Sequence, residues 1–358
     1  MSELRINNIT DRAGSSGPII AGVSTVTSTS HMVMPSGPTE MRGGRGRGFI
    51  LGGNTSPAGT TNSIEFLTIA TTGNGQDFGD LSVGRMQTQG LSNSIRGVCA
   101  GGLGADNNDK TTIDYAILSS SGGTNDFGDI LNARRTFVSA GQASNNIIGI
   151  IAGGYDADAA PARNLNVVEF IIIDTTGDSS EFGDMTHLTR DQGVASSTTR
   201  AVFCGGYNEP TNIGYTDYGS MSRMQYMTFA TKGNSENFGQ LSHRSFGVLA
   251  TSSATRGVIA GGSGVEPSFP NTNIIEFITI ASEGDTTDFG DLTVARRDGH
   301  STSNSIRGIF AGGYNPTFQN VIDFVTIAST GNASDFGDLL TLRRTGASWG
   351  DSHGGLGD

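Results

Sequence analysis

The sequence predicts an all-β chain of six repeated four-stranded units, the size and strand content of the blades of a six-bladed β-propeller. Two markers carry this expectation. Phe-Gly begins at Phe78, Phe127, Phe182, Phe238, Phe289 and Phe336, at spacings of 49, 55, 56, 51 and 47 residues. Gly-Gly begins at Gly52, Gly101, Gly153, Gly205, Gly261 and Gly312, once ahead of each Phe-Gly. Composition agrees: with 54 glycines, the short Val/Ile/Phe/Thr segments are bounded by Gly, Asn, Asp and Ser rather than joined into helical runs.

The order within a unit is constant, as the stretch from Arg85 to Arg135 shows. MQTQGLSN is a candidate first strand and IRG a turn; VCAGG is a short apolar strand ending in the glycine pair, TIDYAILS a third strand, and DFGDI opens a fourth. With an acidic residue and an aromatic in the third strand and Arg after the fourth, these units resemble kelch repeats from about Gly43 to Trp349, with Phe where kelch repeats usually carry Trp. The resemblance implies a kelch-like propeller. After Arg343-Arg344 the chain runs TGASWGDS, like the first strand of a further unit, whereas the first unit lacks a good first strand of its own. Residues 346 to 352 are therefore expected to complete that unit, with Trp349 as a packing residue of the closure. The expected division is an extended N-terminal arm over residues 1–41 and the propeller over 42–358.

DFGDL at Asp77 contains the tripeptide that gives protein kinases a magnesium-binding aspartate, but neither a kinase glycine loop, a VAIK lysine nor an HRD loop accompanies it. It also recurs in every unit, so the Phe reads as interior packing between units and the Gly as a bend or close backbone approach. The acidic series Glu65, Asp114, Glu169, Glu276 and Asp323 and the series Arg85, Arg134, Arg190, Arg244, Arg296 and Arg343 read as structural carboxylate–guanidinium contacts. Arg47, Arg96, Arg200, Arg256 and Arg307, a series broken at Ile148, are expected along one rim as solvated turn residues or local partners of Asp, with joint anion binding as the alternative. Unit four departs from the pattern, with Gln225, Asn237 and Gln240 where other units have acids and a long loop from Tyr207 to Ser222.

A net charge of -12 disfavours nonspecific attraction to nucleic acid or anionic membranes. No apolar run is long enough to span a bilayer, and MSELRINNITDRAG lacks the apolar core of a signal peptide. Cys99 and Cys204 are expected to be buried thiols. Asn and Asp in turns such as TTGNGQDFGD raise the question of calcium, but without EF-hand or nonapeptide spacing they read as turn caps. The five histidines form no HExxH or HxH pattern. The copper constellation of galactose oxidase, the repeated Asp boxes of sialidases and the GxSxG elbow of serine hydrolases find no match either. Neither a metal nor a cofactor is expected, and no catalytic residue is assigned.

Binding fits better than catalysis. Loops after the glycine pairs carry Tyr155 and Asp156, Tyr207 and Asn208, Tyr215, Tyr218, Phe269, and Tyr314 and Asn315, whose aromatic faces and polar edges suit a sugar or a protein. The N-terminal arm has no repeat marker, but Ile19, Ile20, Met32, Val33 and Met34 imply docking into other protein. In RINNITDRAGSSGPIIAGVST and MVMPSGPT it resembles structural and tail proteins of tailed phages of marine cyanobacteria and related hosts, and repeats such as IEFITIASEGDTTDFGDLTVARR fit the same group. That resemblance implies a noncatalytic virion protein made in the bacterial cytoplasm. Its arm would attach to tail or other virion proteins, and its propeller would be displayed to a host-surface glycan or protein. A purely architectural virion part and a polysaccharide-degrading propeller are the alternatives.

Overall fold

The computed structural model describes residues 46–136, 138–158, 163–208, 219–265 and 268–356. These lie in one compact unit, Arg42–Asp358; the expected arm residues Ile19, Ile20, Met32, Val33 and Met34, and Tyr215 and Tyr218, lie outside the described residues. The described chain is all-β, with a single 3-10 turn at Gly354–Leu356. None of its helices is long and apolar enough to cross a membrane.

The sheets are small, antiparallel and repeated. In unit five, Leu249–Ser252, Arg256–Ala260, Ile274–Thr279 and Thr287–Asp291 pair in chain order, and unit six does the same from His300–Ser303 to Ser334–Asp338. In the first unit the inner strand comes from the far end of the chain: Ala347–Gly350 pairs with Arg47–Leu51, placing Trp349 opposite Phe49. Trp349 is fully buried and donates its indole N–H to the Val98 carbonyl at 2.8 Å, so its ring packs without an unmet polar group.

The Phe-Gly marker makes the joint between units. The carbonyls of Phe78, Phe127, Phe182, Phe238 and Phe289 accept N–H groups from Gly122, Gly177, Gly233, Gly284 and Gly331 of the following unit, and Phe336 accepts from Gly73 of the first, all within 2.7–3.0 Å. A Cβ on Gly79 would lie 1.9 Å from the Gly122 carbonyl oxygen, so a side chain there is sterically forbidden. The residue after the loop glycine secures the same joint: Asn74, Asp178, Asn234, Asp285 and Asn332 each accept a backbone N–H from the preceding unit's fourth strand. The Asn and Asp of these turns are thus engaged as backbone acceptors. The Phe rings pack edge-on against third-strand aromatics of their own unit, as Phe127 does on Tyr115 and Phe336 on Phe324.

Side chains reinforce the joints at three depths. Near the inner strands, hydroxyls bond across units: Ser144 donates to the Ser92 carbonyl, Ser196 to Ser144, Ser252 to Ser196, Ser303 to Ser252, and Ser92 to Gly350. Gly350 has no hydroxyl to donate onward, and Thr302 closes that gap by donating to the Trp349 carbonyl at 2.9 Å.

At middle depth, fully buried arginines pair with the next unit's acid: Arg85 with Asp114 and Arg296 with Asp323 at 2.8 Å, Arg343 with Glu65 at 2.7 Å, and Arg134 with Glu169. The expected Arg series is corrected at two positions. Thr189 and Ser245 occupy the equivalent sites, because Arg190 falls one residue later and Arg244 one residue earlier. Where Thr189 replaces Arg, the acid is also gone: Gln225 Oε1 accepts from Thr186 N–H and hydroxyl and from Ser235. Unit four is therefore flanked by the two joints that lack the ion pair.

At the outer edge, the second Arg series is not a row of solvated turn residues. Arg96, Arg200, Arg256 and Arg307 lie 4.3–4.8 Å from the centroids of Tyr115, Tyr226, Phe277 and Phe324. Each also donates to a carbonyl of the next unit, at Ile173, Ala281, Ile327 and both Ile69 and Ala70. Arg47 likewise reaches the Leu118 carbonyl. Where Ile148 breaks the series, Lys232 of the following unit covers Phe170 at 4.1 Å, a cation supplied from the other side.

The backbone of Val138–Ala140 pairs in parallel with Gln192–Ser196 and adjoins the inner strands of the other units, while Gln142 donates to the Ser301 carbonyl. At one end the chain terminus folds in as Gly354–Leu356, whose residues are all buried. His353 anchors it: Nε2 donates to the Ser92 carbonyl at 2.9 Å and Nδ1 accepts the Gly355 N–H at 3.2 Å. Both ring nitrogens thus fit the neutral tautomer, and burial lowers the His353 pKa to about 4; burial, with Arg343 nearby, takes His300 down to about 3.

Two outcomes follow from these contacts. Because the unfolded chain protonates its histidines near 6.5 while folded His353 stays neutral to about 4, the unfolded state binds the extra proton, and stability falls as pH drops through that window. His353 alone accounts for about 3 kcal/mol of that loss; urea unfolding at pH 7, 5.5 and 4.5 should show a shallower decline for His353→Gln than for the native chain. At the changed joint, Gln225→Glu buries a carboxylate without its arginine and is expected to cost about 3 kcal/mol, with Thr189→Arg added to Gln225→Glu recovering most of it. Equal destabilisation of the single and double variants in thermal melts would contradict this account.

Candidate ligand pocket

Each fourth strand ends in a short segment whose backbone pairs with the residue just after a glycine pair. Arg135 pairs with Tyr155, Arg190 with Tyr207, Phe246 with Ser263, Arg297 with Tyr314, Arg344 with Asn54, and Met86 with Leu103. These six equivalent positions line one pocket of about 270 Å³, together with Asn54, Gln87, Asp191, Asp298 and Thr345.

The backbone holds this arrangement by an uncommon conformation. The next residue in five of the six segments, Gln87, Asp191, Gly247, Asp298 or Thr345, has φ between 56° and 65°. For residues other than glycine that conformation is sparsely populated and persists where surroundings impose it. Here successive residues bond to one another: Gly247 N–H to the Asp191 carbonyl at 2.7 Å, then Asp298 to Gly247 and Thr345 to Asp298 at 2.8 Å, with Gln87 donating to Thr345.

Aromatic rings hold the guanidinium groups. Arg190 lies 4.8 Å from the Tyr155 centroid and 5.4 Å from Tyr207. Arg297 lies 5.3 Å from both Phe246 and Tyr314, and Arg344 lies 4.9 Å from Tyr314 and 5.0 Å from Phe318. Carboxylates stand beside them: Asp109 accepts from Arg135 at 2.9 Å, Asp191 is 3.5 Å from Arg190, and Asp298 is 3.3 Å from Arg297 and 3.6 Å from Arg344. Burial raises the Asp298 pKa against the pull of Arg297, Arg344 and Arg190.

Four of the residues expected to carry binding lie against pocket residues without lining the pocket themselves. Tyr155, Tyr207 and Tyr314 stack on the pocket arginines, and Phe269 packs against Tyr207 and Phe246 at 6.4 and 5.6 Å. The polar candidates are placed differently. Asn208 is buried and pairs with Gly219, Asp156 pairs with Arg163, and the Asn315 side chain accepts from Asn271 at 3.2 Å. Like the four aromatics, none of these three lines the pocket. The arginines themselves were missed as binding residues. Their signal is the doublet Arg134-Arg135, Arg296-Arg297 and Arg343-Arg344, whose first member is buried in a joint and whose second opens into the pocket. Cys99 and Cys204 are buried free thiols, both with pKa values raised by desolvation.

No family model matches the chain, and no curated protein matches it. Among solved structures, that of YjhT superposes with a TM-score of 0.61 over 76% of this chain and 90% of its own, at 12% identity. Similarity at that identity speaks for the backbone fold and leaves activity open. Among the described residues, no group of His, Cys, Asp and Glu is arranged to hold a metal ion.

Proposed function

We propose that the protein is a noncatalytic virion component of a tailed phage, a six-bladed kelch-like β-propeller attached through residues 1–41 and displayed for recognition of a host-surface glycan or protein. The phage assignment rests on the wording of the arm and repeats. The propeller reading is supported by six equivalent units whose Phe-Gly joints run from the first to the sixth and back to the first.

One observation carries the recognition role: residues from all six units converge on one pocket, four of them arginines, of which Arg190 and Arg297 rest against Tyr155, Tyr207 and Tyr314. Its prevailing polar groups are guanidinium ions, which stay protonated at any working pH and so orient a ligand without exchanging protons with it. The aromatic stacking restricts their motion and lowers the ordering cost of binding.

Purified full-length protein should adsorb to host cells and to their extracted surface glycans, with no release of reducing sugar. A particle density map with the pocket end buried against other phage proteins, together with no adsorption, would establish the architectural alternative instead. Asp191 and Asp298 share the pocket, so the enzymatic alternative is tested in the same assay. Sugar release that Asp298→Asn abolishes would overturn the noncatalytic reading.

A further inference from the structure

We infer that this pocket binds an oxyanion, a carboxylate, sulfate or phosphate group, carried on a body the size of one sugar ring; the inference rests on the reading of the pocket as the recognition site. Charge is the first argument. Among the described residues, four arginines meet three carboxylates, Asp191 and Asp298 in the lining and Asp109 behind Arg135, so this set is formally cationic in a chain whose net charge is -12. Local sign opposite to the bulk excludes cations and concentrates anions at one place.

Donor geometry is the second argument. Stacking against rings occupies the face of a guanidinium and leaves its N–H edge for in-plane acceptors. Arg344 shows this most plainly: its nearest carboxylate oxygen is 3.6 Å away, and its buried Nε has no hydrogen-bond acceptor. A bidentate oxyanion supplies two such acceptors in the matching plane.

The third argument is the arrangement around the six units. In cyclic order the arginines form two adjacent pairs, Arg135 with Arg190 and Arg297 with Arg344, separated by Met86 on one side and Phe246 on the other. Met86 and Phe246 are three units apart, so apolar surface faces the ligand from opposite places in the cycle while the charged pairs occupy the remaining positions. That suits a ligand with an anionic group and an apolar face, as a sugar ring has. A volume of about 270 Å³ falls just below the usual range for drug-sized ligands, which limits the bound portion to about one ring.

Calorimetric titration of the full chain with glucose, glucuronate, glucose 6-sulfate and glucose 6-phosphate tests this. The three charged sugars should bind and glucose should not, with their ranking identifying which oxyanion is preferred. Binding should weaken at least about tenfold in Arg297→Gln/Arg344→Gln, with Arg344→Lys intermediate. Should the double variant melt early, the native chain still decides the matter, because raising salt from about 0.05 to 0.5 M must weaken binding markedly. Equal binding of glucose and glucuronate, no binding of any charged sugar, or salt-independent binding would overturn the inference. Host-cell adsorption separates the two levels: adsorption without oxyanion binding removes this inference alone, and oxyanion binding without adsorption removes the host-display reading alone.

Discussion

The hydrogen bond from a loop glycine to the Phe carbonyl of the preceding unit sets the terms for the rest of the molecule. It needs two backbones in contact, so the glycine after Phe must lack a side chain, as the 1.9 Å approach at Gly79 shows, while the loop glycines Gly122, Gly177, Gly233, Gly284 and Gly331 are required by φ values of 149–155° rather than by crowding. It needs the fourth strand to be held at that spot, which the neighbouring Asn or Asp does by accepting its N–H. Repetition then makes each joint depend on its neighbours, because a unit displaced at one face loses its fit at the other. The bond between Gly73 and Phe336 joins the first unit to the sixth in the same way.

The joints are not equal, and their differences fall in one place. Four carry a buried Arg–carboxylate pair; the two flanking unit four do not. Loss of one partner alone leaves a buried charge uncompensated, at a cost of about 3–5 kcal/mol, whereas changing both is nearly neutral. The Thr189 and Gln225 combination is the paired change. Glu276 shows another solution, its carboxylate accepting the Ser242 N–H at 3.1 Å where Ser245 stands in the arginine's position. The same logic explains Lys232 over Phe170: an aromatic face left uncovered by Ile148 receives a cation from the adjacent unit.

Much of this was legible because structural residues repeat. The unit count, the strand order and the role of residues 346 to 352 all follow from markers that any large departure would have erased. What escaped notice was offset rather than absent. Arg190 follows a fourth strand as Arg85 and Arg134 do, yet a shift of one residue exchanges a joint for the pocket. Nothing in the sequence separated Tyr155 and Tyr207, which rest against the pocket arginines, from Asp156 and Asn208, which follow them in the same paired strands. The parallel pairing of Val138–Ala140 and the burial of Gly354–Leu356 had no repeated counterpart, so no pattern announced them.

The pocket's position follows from the same division of labour. Within each doublet the first arginine is fixed by a carboxylate of the next unit and cannot vary without its partner. The second has its own carboxylate neighbour, Asp109 or Asp298, but its side chain faces a space shared by all six units, and there Met86 and Phe246 stand in place of arginine. Freedom to differ among six equivalent positions is what allows a symmetric scaffold to present an asymmetric site. Rigidity comes from the joints, and chemical character from the one position per unit that the joints leave unassigned.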